Sequence, residues 1–188
     1  MATKKNNLII FTGPSGVGKG TIVDKLFKDL TDIEFSVSCT TREKRPGEVD
    51  GIDYFYKTRE EFQQMIEQDE FLEWAEFVGN YYGTPRNFVV DTLASGKDVF
   101  LEIEVQGALQ VMQKCPEALS IFLIPPSLEE LESRLRKRGT EKEEVLQKRL
   151  AKAQEEMKFT GKFKYTLVND DVDQAVEKLR KLIMNARA

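Results

Sequence analysis

Apolar residues follow two rhythms along this chain. Five short runs are nearly continuous, Leu8 to Phe11, Phe35 to Cys39, Val99 to Ile103, Ile121 to Ile124 and Tyr165 to Val168, as in strands covered on both faces. Between most of them apolar positions recur at helical spacing. Ile22, Val23, Leu26, Phe27 and Leu30 follow the first run; Val172, Ala175, Val176, Leu179, Leu182 and Ile183 form one face near the end, with Asp171 or a neighbour placed to cap it. Three Thr/Ser-x-x-Glu boxes, Thr58 to Glu61, Ser127 to Glu130 and Thr140 to Glu143, mark further helix starts. The alternation predicts an α/β fold, a mainly parallel five-stranded sheet flanked by helices.

Two stretches break the alternation. Ser36 to Asn87 is rich in Gly, Tyr and Phe with a single helical pattern near Glu60 to Ile66, and reads as a small inserted α+β unit. Leu128 to Gly161 is highly charged, with Arg134, Arg136, Lys137, Arg138, Lys148, Arg149 and Lys152 among glutamates. A solvated helical hairpin and an arginine-bearing lid both fit that composition. The expected organisation is one compact body: a core of residues 1–35, 88–127 and 162–188, an insert at 36–87 and a lid at 128–161.

The first apolar run opens into FTGPSGVGKGT, Phe11 to Thr21. Strand, glycine-rich turn and helix in that order make a phosphate-binding loop. Gly13, Gly16 and Gly18 let backbone N–H groups converge on an anion, with Pro14, Ser15 and Val17 between them, and the helix starting near Lys19 adds the positive end of its dipole. Lys19 supplies a point charge. Gly20 stands where the general motif has a hydroxyl, and Thr21 comes one residue late, so water and phosphate oxygens are left to complete a magnesium shell.

Composition narrows the chemistry. A net charge of −4 gives no global basic field for nucleic acid or an anionic membrane. Two cysteines, Cys39 and Cys115, without spaced partners read as reduced thiols. Met1 to Asn7 is followed by only four apolar residues before the loop, far short of a signal core or a membrane span, and the expectation is a soluble cytoplasmic protein. The chain has no histidine, so the commonest general base and metal ligand are both missing.

Ser38 to Tyr56 reads SCTTREKRPGEVDGIDYFY, with Arg42 and Arg45 three apart and Tyr54 and Tyr56 beyond a Pro-Gly turn. Guanidinium forks and phenol groups suit a phosphate monoester; from the residues alone, a basic surface turn remains equally open. Thr40, Thr41, Arg42, Arg45, Glu48, Gly51 and Tyr54 together resemble the signature of guanylate kinases. The resemblance continues through FLEWAEFVGNYYGT, LEIEVQG, RLRKRGTE and VNDD. It implies transfer of the γ-phosphoryl group of ATP to GMP, and to dGMP, with Mg²⁺. Ser38, Glu73 and Thr84 would face guanine, and Arg42, Arg45, Tyr54 and Tyr82 would hold the GMP phosphate. Glu102 and Glu104 would lie beside the base and the metal, Arg134, Arg138 and Arg149 would belong to the lid over ATP, and Asn169 to the adenine pocket. The same resemblance covers guanylate-kinase-like modules that bind phosphorylated peptides, and other nucleoside monophosphate kinases are the nearest enzymes. One carboxylate can accept both donors on guanine's N1–H and N2 amino edge, whereas adenine offers an acceptor at N1.

Overall fold

The structure, a computed structural model, describes residues 7–28, 30, 32–137 and 143–187. Its elements are β1 (Leu8–Thr12), α1 (Lys19–Leu26), β2 (Ile33–Phe35), β3 (Cys39–Thr40), β4 (Phe55–Tyr56), α2 (Arg59–Glu67), β5 (Phe71–Phe77), β6 (Asn80–Pro85), α3 (Arg86–Ala94), β7 (Asp98–Glu102), α4 (Val105–Lys114), β8 (Leu119–Ile124), α5 (Leu128–Lys137), α6 (Glu143–Met157), β9 (Tyr165–Val168) and α7 (Val172–Ala186).

Five strands form one sheet in the order β2-β7-β1-β8-β9, every neighbouring pair parallel. The continuous apolar runs are explained by burial on both faces. In β1, Ile9 and Phe11 belong to one core cluster with residues of α1, α5, α6 and α7, while Leu8 and Ile10 belong to a second with residues of α3 and α4, the period of two expected of a strand. The run Phe35 to Cys39 is not one strand, however. Only Phe35 ends β2; the Ser36 N–H still bonds to the Phe100 carbonyl at 3.0 Å, and the chain then crosses to Cys39, which begins β3 of another sheet.

That second sheet has the order β4-β3-β6-β5, parallel between β3 and β4 and antiparallel elsewhere. Its small core packs Phe62 of α2 on Phe71 at 4.4 Å between ring centroids and on Tyr81 at 5.5 Å. The Thr58 box is complete: its hydroxyl accepts from Glu61 N–H and the Glu61 carboxylate accepts from Thr58 N–H. Asp171 caps α7 by accepting from Gln174 N–H, and Ser127 accepts from Glu130 N–H. Thr140 and Arg138 lie outside the described residues.

The charged segment is not a free hairpin, because Leu131 and Leu135 of α5 and Leu146 and Ala153 of α6 are buried in the same core cluster as Phe11. At the N-terminal edge of the sheet a polar clasp joins both ends of the chain. Asp98 is fully buried, takes the Asn7 N–H at 2.8 Å on one oxygen and Arg187 Nε at 2.5 Å on the other; Arg187 also reaches Asp32 at 2.7 Å. Removing one partner of a buried pair strands the other charge. Arg187→Ala should therefore lower unfolding free energy by about 3 kcal/mol in urea titrations, with activity per folded molecule retained; a loss under about 0.5 kcal/mol would show that Asp98 is satisfied without it.

Candidate active site

Parallel sheets place ligands at the carboxyl ends of their strands, where the order reverses. Here the ends of β1 and β7 are tied side by side: the Thr12 hydroxyl donates to the Ile103 carbonyl at 2.7 Å. The glycine-rich loop leaves β1, and Glu102 and Glu104 leave β7. Gly16 has φ 86° and Gly18, which caps α1, has φ 99°. A side chain at either would be strained by the backbone and by contact as well, since a Cβ would stand 2.5 Å from Leu135 Cδ2 at Gly16 and 2.5 Å from Asn169 Nδ2 at Gly18. Asn169 is 2% exposed and donates to the Val17 carbonyl at 2.7 Å, fixing the loop from beneath. Lys19 curls over the loop, its ammonium donating to the Gly13 carbonyl at 2.6 Å.

Beside the loop opens a cleft of ≈ 520 Å³. It is lined by Lys19, Asp24, Phe27, Phe35, Glu102 and Glu104 from the elements of the parallel sheet, and by Ser38, Tyr54, Glu73 and Tyr82 from the second sheet and the residues flanking its strands. Glu73 is held by its strand register. It lies opposite Thr84 across β5 and β6, next to an irregularity between Phe71 and Glu73, and accepts from the Thr84 hydroxyl at 2.6 Å. Gly107 at the start of α4 presses on the same carboxylate so closely that any Cβ there would collide with it. Glu73 is 3% exposed, and burial pushes its carboxyl up to about 7 against the pull of Thr84. Burial likewise raises Glu102, with Lys19 working in the opposite direction.

A guanylate kinase family model matches residues 5–186. The chain belongs to the guanylate kinase family. It is 55% identical to the guanylate kinase of Oceanobacillus iheyensis over 97% of this chain and 89% of that one. It is 56% identical to the guanylate kinase of Lactococcus lactis over 94% and 86%. The crystal structure of guanylate kinase from Anaplasma phagocytophilum matches it with a TM-score of 0.84 at 32% identity, covering 100% of this chain and 89% of that one.

The positions that the guanylate kinase resemblance singles out fall into three groups. Ser38, Tyr54, Glu73, Tyr82, Glu102 and Glu104 line the cleft, and Thr84 touches it through Glu73. Arg42 is not among the lining residues: its fork is on Glu48, at 2.8 and 3.1 Å, and its guanidinium carbon is 5.3 Å from the Tyr54 ring centroid. The Arg42 bond, the Arg45 N–H and the Tyr56 hydroxyl hold the Glu48 carboxyl down to about 2. Arg45 itself is exposed. Arg149 of α6 donates to the Ser15 hydroxyl at 2.7 Å, while Arg134 of α5 pairs along its own helix with Glu130 at 2.8 Å. Asn169, expected at the adenine pocket, has its amide donor engaged by Val17 under the loop.

Sequence reasoning gave no role to Asp24, Ser36 or Glu156. Ser36 lines the cleft with a buried hydroxyl that has no partner among the described residues; a small polar residue at a strand end carries no signal of that. Glu73 and Glu156, both raised to about 7 by burial, keep their protons in the folded chain over a range where the unfolded chain has lost them. Stability should thus be fullest near the ordinary carboxylate range and fall as pH rises through about 7. Melting curves from about pH 5 to 8 should show that fall, and Glu73→Gln should flatten it; a slope unchanged by the substitution would contradict the shift.

Proposed function

We propose that this protein transfers the γ-phosphoryl group of ATP to GMP, and to dGMP, giving ADP and GDP. The observation that carries this reading is that a buried carboxylate, Glu73, hydrogen-bonded by the Thr84 hydroxyl, lines the same cleft as Lys19 and Gly20 of the phosphate loop. An ionised Glu73 steadied by Thr84 offers acceptors to both guanine donors, and Ser38 adds a hydroxyl at the same wall. Adenine would set an acceptor against it. Arg42, Arg45, Tyr54 and Tyr82 are assigned to the acceptor phosphate, with Glu48 holding the Arg42 fork in orientation until that phosphate arrives.

The donor's phosphates are assigned to the loop, Gly13 to Thr21. A phosphate monoester is already mostly ionised at neutral pH, its second pKa being about 6, so the attacking oxygen needs no base and the missing histidine is no obstacle. What remains is alignment and charge neutralisation. Lys19 would leave the Gly13 carbonyl to meet the phosphoryl group in flight, while Arg134, Arg138 and Arg149 would close on it from the lid. The cleft offers hard oxygen donors in Asp24, Glu102 and Glu104, no histidine, and no group of three or more metal-binding side chains among the described residues. That set fits Mg²⁺ carried in by phosphates and water, with Glu102 or Thr21 at its outer shell. Bound there, the ion would neutralise phosphate charge. The segments 36–87 and 128–161 would move against the core of 1–35, 88–127 and 162–188 to exclude water.

The two other readings have less support. A phosphopeptide module would need neither Lys19 nor a buried base-reading carboxylate, and the relatives above carry the enzyme's name over nearly their whole length. No helix among the described residues is long and apolar enough to cross a membrane.

ADP release with GMP, dGMP, AMP, UMP and dTMP as acceptors tests the proposal. GMP should be used and AMP barely; turnover with AMP alone would overturn it. Lys19→Ala should reduce kcat by about two to three orders of magnitude, the scale for losing one donor to transition-state charge; a fall below about tenfold in a folded variant would mean that Lys19 stays on the loop carbonyls. Glu73→Gln places a donor against a guanine donor, at roughly 1–3 kcal/mol. The kcat/KM for GMP should fall at least about tenfold with the GMP-over-AMP ratio, and an unchanged ratio would remove Glu73 as the base reader.

A further inference from the structure

Strand β5 is fastened to the core over the first part of its length. The Leu72 carbonyl accepts from Lys114 Nζ at 2.5 Å and the Trp74 carbonyl from Gln110 Nε2 at 2.7 Å, both donors on α4. Glu73 and Ala75 line the cleft, and by the strand's period of two Phe77 is the next residue on that face. There it meets another segment. Lys152 of α6 sets its ammonium 3.6 Å from the Phe77 ring centroid, where the ring's quadrupole attracts a cation. Glu156, 3.8 Å from the same ammonium, is a partner on Lys152's own helix; Phe77 belongs to the second sheet. From Phe77 the contacts continue inward: to Tyr82 at 6.4 Å between centroids, from Tyr82 to Tyr54 at 5.9 Å, and from Tyr54 to the Arg42 guanidinium at 5.3 Å. Helix α6 is itself anchored, by Leu146 and Ala153 in the core and by Arg149 on Ser15 of the phosphate loop.

We propose that Lys152 and Phe77 are positioning residues for the GMP side of the cleft: the ammonium over the ring latches the far end of β5 to α6, and so holds Glu73, Tyr54 and Tyr82 at their working distance from the phosphate loop before a nucleotide arrives. The inference rests on the second sheet receiving GMP, as proposed above. Without the latch the second sheet keeps its own core and its attachment to α4, but spends part of its time swung away from the loop. A ligand whose competent state is only partly populated binds with an affinity reduced by that fraction. GMP would meet that reduction; a donor seated on the loop would not. Lys152 touches no reacting atom and acts through the ring.

Calorimetric titration with GMP and, separately, with ADP reads the latch. Lys152→Met keeps the aliphatic stem and removes the cation. It should bind GMP about threefold to tenfold more weakly, the range of one cation–ring contact, with ADP affinity unchanged. In steady-state assays the KM for GMP should rise by the same factor while kcat stays within about twofold. Lys152→Arg, which keeps a cation able to sit over the ring, should bind GMP within about twofold of the wild type. Unchanged GMP binding by a folded Lys152→Met, an equal weakening toward ADP, or an arginine no better than methionine would each overturn the proposal. The deciding comparison is Lys152→Met in a Phe77→Leu background, where its effect should vanish because the ring is already gone. A loss of the same size there would assign Lys152 to Glu156 or to the nucleotide, and the latch would fall. Failure of the wild type to bind GMP would instead remove the acceptor-site reading on which the inference stands.

Discussion

A carboxylate taken out of water must find partners inside the protein, lose its charge, or wait for a ligand. Two in this fold, Glu73 and Glu102, stand in that position in one cleft, and a third, Glu156, lies on α6. Glu73 has a hydroxyl from Thr84 and the bare backbone of Gly107 against it, Glu102 has Lys19 in its vicinity, and Glu156 has the Lys152 ammonium 3.8 Å away. Each is raised by burial. By contrast Asp98, buried on the opposite edge of the sheet, is fully paired by Arg187 and Asn7. The same chain thus satisfies a buried acid where it serves the fold and leaves acids underpaired where substrates enter. A guanine edge with its two donors is the partner that would complete Glu73, and a cation brought in by phosphates the one that would complete Glu102.

The loop is held by the same economy of contacts. Leu135 packs where a side chain at Gly16 would go, Asn169 does so at Gly18, and Arg149 holds Ser15. Those contacts come from α5, α6 and the residue after β9, so these two helices are seated in the core cluster through Leu131, Leu135, Leu146 and Ala153 while Arg149 of α6 reaches the loop. Lys152 over Phe77 extends α6 to the second sheet. Any movement of this segment would therefore have to exchange one set of packed contacts for another.

The parallel sheet was legible because its strands are buried on both faces and leave unbroken apolar runs. The phosphate loop was legible because its chemistry demands glycines at fixed spacing. The second sheet was harder. Its strands are half exposed, and the β5–β6 turn uses Val78 at φ 49° in place of the Asn-Gly or Asp-Gly pairs that mark such turns. Helix α3 went unpredicted since only Val89 among its nine residues is buried and Pro85 offers no side-chain cap. The break after Phe35 is tertiary: Ser36 finishes one ladder and Cys39 starts another, with nothing polar enough between them to announce it. Glu156 is the subtlest case, one acid in a charged helix, set apart from Glu155 only by its phase with Ala153. Arg42 is expected from the resemblance to hold the acceptor phosphate, and its pairing with Glu48 appears only when the turn between them is folded.

The account turns on Glu73 as an acid kept near the neutral point by burial and relieved by guanine. Carbon-13 NMR of labelled glutamate side chains would read its titration directly, with Glu73→Gln assigning the signal. The free protein should show a carboxyl titrating near 7. Saturating GMP should move that titration down by at least about one pH unit, since bonding to the charged form favours it, and AMP should not. A Glu73 that titrates as an ordinary surface glutamate, or that is indifferent to GMP, would contradict the account.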